Sequence, residues 1–116
     1  MRRQKDANLF IDQVRAAYAK IGKTPFRRAF GNEDTPHCCP LTALCLANGW
    51  LESCAHEEPI LRAIDDRFGH TFALSFLEGF DGGALRESLH HHAWQLGRWT
   101  ALAIEPEDVI GLPRTT

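Results

Sequence analysis

Residues 72–83 read FALSFLEGFDGG, and their pattern sets the expected architecture of the chain. Apolar side chains recur here at helical spacing and share one wide stripe: Phe72, Ala73, Phe76, Leu77 and Phe80. Thr71 stands where it can cap such a helix, and the DGG run at the far end breaks it. The pattern therefore predicts a helix over about 72–80 that buries one face against the rest of the protein.

The residues that follow this break, 84–104, are predicted to form the longest helix. Their apolar positions alternate in steps of four and three, as a helix seam requires: Leu85, Leu89, His92, Leu96, Trp99 and Ala103. Gly97 lies inside this helix, where glycine costs up to about 1 kcal/mol relative to alanine. We therefore expect a neighbouring helix or a bulky ring to approach Gly97 closely. Pro106 ends the helix.

Three more helices are predicted earlier in the chain, over about residues 7–21, 40–48 and 57–68. Their ends are marked by residues that commonly begin or stop helices: Gly22, Pro40, Gly49 and Gly69. Residues 23–39 are predicted to be one long irregular loop, in which residues 26–30 form at most a short strand.

Length and composition place the chain among ordinary globular proteins. It has 116 residues, of which 44% are apolar and 24% are charged, values typical of one self-supporting core. We predict an all-α fold, a single compact bundle of about five helices forming one domain over residues 1–116, with 1–6 and 114–116 frayed. No apolar run approaches the length of a membrane span, which predicts a cytoplasmic protein without membrane contact.

The net charge of −2 conceals an uneven distribution. Residues 1–28 carry eight basic side chains and two acids, whereas the other 88 residues carry five basic side chains and thirteen acids. Such a layout either steers partners by sign or lets the two segments attract each other within the fold. A basic patch at Lys23, Arg27 and Arg28 lies among aromatic residues, so nucleic-acid binding through residues 1–28 is one alternative function.

All four cysteines fall in one short stretch. Zinc binding by Cys38, Cys39, Cys54 and His56 is an alternative, although the spacing lacks the usual short pairs of ligands. Thiol catalysis is another, since Cys39 precedes a helix start whose dipole would lower its pKa. Neither pattern matches a recognised motif. We therefore expect the thiols to pack as small hydrophobic side chains, and we expect no enzyme activity and no cofactor.

The leading functional hypothesis is a non-enzymatic interaction protein with a protein partner. Two surfaces are predicted to bind this partner: an aromatic face of the last helix and an acidic surface. The aromatic face is also a candidate homodimer interface. The aromatic face consists of Glu87, His91, Trp94 and Arg98, and the acidic surface of Glu57, Glu58, Asp65 and Asp66. One concrete form is an inhibitor or adaptor, like small phage proteins, whose acidic faces occupy the basic surface of a nucleic-acid-handling complex.

Overall fold

The computed structural model describes residues 2–51, 53, 56–85 and 89–108, without the side chains of residues 2–5 and 108. This part of the chain is mainly helical, as predicted, and includes three short strands. None of its helices combines the length and the apolar character that a membrane span requires. In chain order the elements are α1 (Arg2–Ile21), β1 (Thr24–Arg27), β2 (His37–Cys38), α2 (Pro40–Asn48), α3 (Glu57–Phe68), α4 (Phe72–Phe80), α5 (His91–Ile104) and β3 (Glu107–Asp108).

The predicted end of α1 and both predicted ends of α2 and α3 are confirmed, whereas α1 begins at Arg2 and not near residue 7. α1 ends at Ile21, immediately before Gly22. Pro40 opens α2, where its missing N–H loses no partner, and Gly49 closes that helix in the left-handed region at φ 66°. α3 spans Glu57–Phe68 and has two acids in its first turn, where the positive end of the helix dipole favours them.

The last helix is shorter than predicted, because α5 begins at His91 and not at residue 84. The His90 side chain caps it, since its Nδ1 accepts a hydrogen bond of 3.2 Å from the Ala93 N–H. This bond favours a non-helical backbone at the cap, so the helix does not extend further back along the chain. Leu85 and Leu89 are 41% and 85% exposed, and the prediction that they belong to the buried seam is wrong.

The loop predicted over residues 23–39 has a strand at each end. β1 is the central strand of a small parallel sheet with the order β2-β1-β3. Thr24 pairs with His37 on one side, and Phe26 pairs with Glu107 on the other. The short strand considered for residues 26–30 lies at Thr24–Arg27. Strands of two to four residues show no clear alternation, and parallel pairing joins distant segments, so the all-α prediction did not include the sheet.

Aromatic rings form the centre of the core. Phe10 of α1 contacts the rings of Phe68, Phe72 and Phe76, with centroids 5.6, 6.2 and 5.4 Å away. Phe76 also stacks on Phe80, with centroids 6.0 Å apart. These contacts join α1 and α3 to the apolar stripe of α4, and burying each such ring contributes about 1.5–3 kcal/mol.

α4 and α5 cross in close contact at two glycines. A Cβ atom added to Gly97 would collide with the Phe76 carbonyl oxygen, and one added to Gly79 would collide with the Trp94 carbonyl oxygen. Each helix therefore presents a glycine to the backbone of the other. The close approach predicted for Gly97 is confirmed, and Gly79 is its counterpart on α4.

Candidate functional site

The three cysteines that the structure describes are all buried: Cys38, Cys39 and Cys45. Burial raises the pKa of the Cys39 thiol to about 11, and hydrogen bonding with Thr42, at 3.4 Å between Sγ and Oγ1, offsets only part of the rise. The prediction that the α2 dipole lowers this pKa is wrong, because the removal of the thiol from water outweighs the dipole. A buried, protonated thiol is a poor nucleophile at neutral pH.

The predicted zinc ligands do not come together in the described residues. There, no group of three or more His, Cys, Asp or Glu side chains is arranged to hold a metal ion. Cys38 and Cys39 are buried, His56 is exposed at the N-cap of α3, and Cys54 lies outside the described residues. Zinc binding stays a prediction that depends on Cys54.

Tyr18 of α1 holds the strand that leads to these thiols. Its hydroxyl donates a hydrogen bond of 2.7 Å to the Cys38 carbonyl oxygen. Burial raises the pKa of Tyr18 well above its usual range, so the hydroxyl stays protonated and remains a donor. Tyr18 and the neighbouring thiols therefore pack β2 and α2 against α1.

Two residues of the predicted basic patch are partly enclosed by the fold. Lys23 donates from Nζ to the carbonyl oxygens of Glu33, at 3.0 Å, and of Thr35. Arg27 is half-buried, and its Nε has no hydrogen-bond partner within the described part of the chain. Lys23 thus stabilises the loop between β1 and β2. This contact agrees with the expectation that basic side chains of residues 1–28 interact with the rest of the protein.

Arg28, the third residue of the patch, links the end of β1 to the end of α4. Its backbone N–H donates to Asp81 Oδ1 at 2.9 Å, and its Nη2 donates to the Asp81 carbonyl oxygen at 3.0 Å. Burial raises the pKa of the Asp81 carboxyl, and the hydrogen bond and positive charge of Arg28 offset part of that rise. From the sequence, Asp81 is only part of a helix break, because its contact with Arg28 joins distant segments.

The four predicted acidic residues do not share one role. Glu57, Glu58 and Asp66 are exposed on α3. Asp65 instead uses Oδ1 to accept a hydrogen bond of 2.8 Å from the Ala73 N–H, so it caps α4 from the neighbouring helix. No local pattern indicates this cap, since donor and acceptor belong to different helices.

The loop between β1 and β2 carries two exposed acids, Glu33 and Asp34, and the first of them contacts the segment before α3. Ser53 Oγ donates a hydrogen bond of 2.9 Å to Glu33 Oε1, which joins the loop to the segment that leads into α3. Within the loop, Asn32 Oδ1 accepts a hydrogen bond of 2.8 Å from the Asp34 N–H, a turn that asparagine favours. We define the acidic edge as Glu33, Asp34, Glu57 and Glu58.

A cavity of about 280 Å³ opens where this loop meets the first residues of α2 and α3 and the end of α4. We call it the Asp81 cavity. Its lining combines charged and apolar side chains, among them Arg28, Phe30, Cys39, Glu57, Leu77 and Asp81. Because four separate segments contribute to it, sequence patterns alone did not reveal it.

The predicted aromatic face of α5 lies beside α4 and the turn that follows it. Trp94 is half-buried, and its Nε1 donates a hydrogen bond of 3.1 Å to the Gly83 carbonyl oxygen. Arg98 is half-buried and His91 is exposed. Glu87 lies outside the described residues and precedes the start of α5. Partner binding by this face stays a prediction.

The described site offers exposed carboxylates beside a small cavity of mixed lining, a chemistry suited to binding cationic groups. Comparison of the chain with protein-family models, curated proteins and solved structures finds no match.

Proposed function

We propose that the protein is a non-enzymatic regulatory protein that binds a basic protein partner through the acidic edge. The observation that carries this proposal is the hydrogen bond between Ser53 and Glu33, which joins the loop that carries Glu33 and Asp34 to the segment that leads into α3. Acids held close to one another raise the negative potential around them, and that potential attracts and orients a partner of opposite charge.

Three cations near the acidic edge offset part of its negative charge, and each of them already has hydrogen-bond partners within the protein. Lys23 donates to carbonyl oxygens of the loop, and Arg28 is hydrogen-bonded to Asp81. Arg62 lies 2.6 Å from Glu58 in an exposed ion pair. Such a pair contributes less than about 1 kcal/mol, so a cation of the partner can replace Arg62 at little cost.

An inhibitor or adaptor is the form of regulation that we propose. Surfaces that handle nucleic acids carry clustered lysines and arginines that bind phosphates. A protein with a compact set of carboxylates competes for such a surface. Because this association is partly electrostatic, its rate is expected to fall as the salt concentration rises.

Affinity capture from an extract of the native cell tests the proposal. The wild-type protein is compared with the double variant Asp34→Lys and Glu58→Lys, which reverses two charges of the acidic edge. The matched control is Asp6→Lys with Asp12→Lys, which makes the same change in net charge at exposed positions of α1. Asp65 is left unchanged because it caps α4.

We expect a basic protein to co-purify with the wild type and with the control variant, and to be lost with the acidic-edge variant. Raising the salt concentration should weaken its binding to the wild type. Equal recovery with all three proteins would contradict the proposal, and so would binding that salt does not affect.

A further inference from the structure

We propose that the Asp81 cavity receives a lysine side chain of the basic partner, a statement that rests on the proposed function. Glu57 belongs both to the acidic edge and to the lining of the cavity. A partner that docks on the acidic edge therefore meets the mouth of the cavity, and the cavity can anchor one of its side chains.

The charges of the lining favour a cation. The lining contains the carboxylate residues Glu57 and Asp81 and a single cationic residue, Arg28. Arg28 opposes the entry of a cation, but its backbone N–H and its Nη2 are both hydrogen-bonded to Asp81. Burial still raises the pKa of the Asp81 carboxyl despite the positive charges of Arg28 and Arg27, so an added positive charge would stabilise the ionised carboxylate further.

The size and the apolar part of the lining fit a side chain better than a cofactor. The volume of about 280 Å³ lies just below the range of roughly 300–1,000 Å³ typical of small-molecule sites. Phe30, Cys39 and Leu77 offer apolar surface to the methylene groups of a lysine. The ring of Phe30 can also attract the ammonium group, because the face of an aromatic ring carries partial negative charge.

Nuclear magnetic resonance titration of the ¹⁵N-labelled protein tests this inference. The probe is a short peptide with blocked ends and a single lysine, and the control peptide carries norleucine, which has the aliphatic chain without the ammonium. Glu57→Gln and Asp81→Asn each remove one negative charge from the lining. Asp66→Asn removes the same charge from an exposed position of α3 and serves as the matched control.

We expect the lysine peptide to shift the amide signals of Phe30 and Leu77, and the norleucine peptide to bind about tenfold more weakly. Glu57→Gln and Asp81→Asn should each weaken lysine binding about three- to tenfold, and Asp66→Asn less than about twofold. The asparagine at 81 keeps an oxygen that accepts from the Arg28 N–H. If that variant nevertheless fails to fold, the exposed Glu57→Gln variant decides the question.

Equal binding of the two peptides overturns the inference, as do shifts confined to other parts of the protein or the absence of any shift. Affinity capture with the double variant Asp34→Lys and Glu58→Lys tests the proposed function separately from the lysine anchor, because neither residue lines the cavity. If that variant loses the partner while Asp81→Asn retains it and the lysine peptide does not bind, the proposed function stands and the lysine anchor is refuted.

Discussion

Asp65 and Asp66 are adjacent on α3 and have the same side chain, yet the fold uses them differently. Asp65 accepts a hydrogen bond from the Ala73 N–H and satisfies one of the backbone donors at the start of α4, whereas Asp66 is exposed. Thr71 occupies the N-cap position in a left-handed conformation, at φ 62°, and its side chain makes no capping hydrogen bond. The cap of α4 therefore comes from α3.

Replacing Asp65 by alanine is expected to lower the free energy of unfolding by about 1 kcal/mol, because it leaves a backbone donor of α4 without its acceptor. The matched change Asp66→Ala should cost less than about 0.5 kcal/mol. Urea denaturation of both variants measures the difference. Equal losses would mean that the Asp65 contact does not stabilise α4.

Cys39 makes stability depend on pH in the alkaline range. The pKa of its thiol is about 11 in the folded protein, against 9.0 as the ordinary value for the unfolded chain. As the pH rises, the unfolded chain therefore loses this proton first. The free energy of unfolding should be insensitive to this thiol below about pH 9 and should decrease between pH 9 and 11, by up to about 2–3 kcal/mol.

The variant Cys39→Ala is expected to lose this part of the decrease. Tyr18 adds a further decrease above about pH 10 in both proteins, because burial raises its pKa as well. Free energies of unfolding measured from pH 7 to 11 compare the two proteins. Parallel curves would show that the Cys39 thiol ionises alike in the folded and unfolded states.

The crossing of α4 and α5 depends on the absence of two side chains. Gly79 and Gly97 each face a backbone carbonyl of the other helix, from Trp94 and from Phe76. In an exposed helix, replacing glycine by alanine stabilises by up to about 1 kcal/mol. At this crossing the added methyl group must push two helices apart, and the loss of packing outweighs the gain in helix propensity.

We expect Gly79→Ala and Gly97→Ala each to lower the free energy of unfolding by about 2–3 kcal/mol. Leu74→Ala, on the exposed side of α4, is the control and should change it by less than about 1 kcal/mol. Guanidinium denaturation measures all three variants. A stabilised Gly97→Ala protein would show that the helices do not touch at this position.

The helices whose ends depend on local chemistry were predictable, and those whose ends depend on particular contacts were not. Pro40 and Gly49 act through their own backbone preferences, so the bounds of α2 follow from the sequence. The start of α5 depends on His90, whose ring becomes a cap only when it turns toward the Ala93 N–H. The predicted helix extended back beyond His90 because the spacing of apolar residues does not indicate whether a side chain will act as a cap.

The distribution of charged residues was visible in the sequence, but the contacts that these residues make in the fold were not. Glu57 and Glu58 were predicted to be exposed acids near a helix start, and the structure places them there. Lys23 is hydrogen-bonded to the loop between β1 and β2, and Arg28 is hydrogen-bonded to Asp81. These contacts join separate segments, so the sequence alone did not predict them. For the same reason the Asp81 cavity could not be predicted, since its lining exists only after the helices have packed.

The position of β1 between β2 and β3 has a consequence for how the protein is made. β1 and β2 leave the ribosome close together, whereas β3 is the last of the described elements to emerge. Until then one edge of β1 has unpaired backbone groups, and such an edge can pair with another unfinished copy. We infer that the nascent chain is most prone to aggregate after its helices have formed and before Glu107 and Asp108 close the sheet.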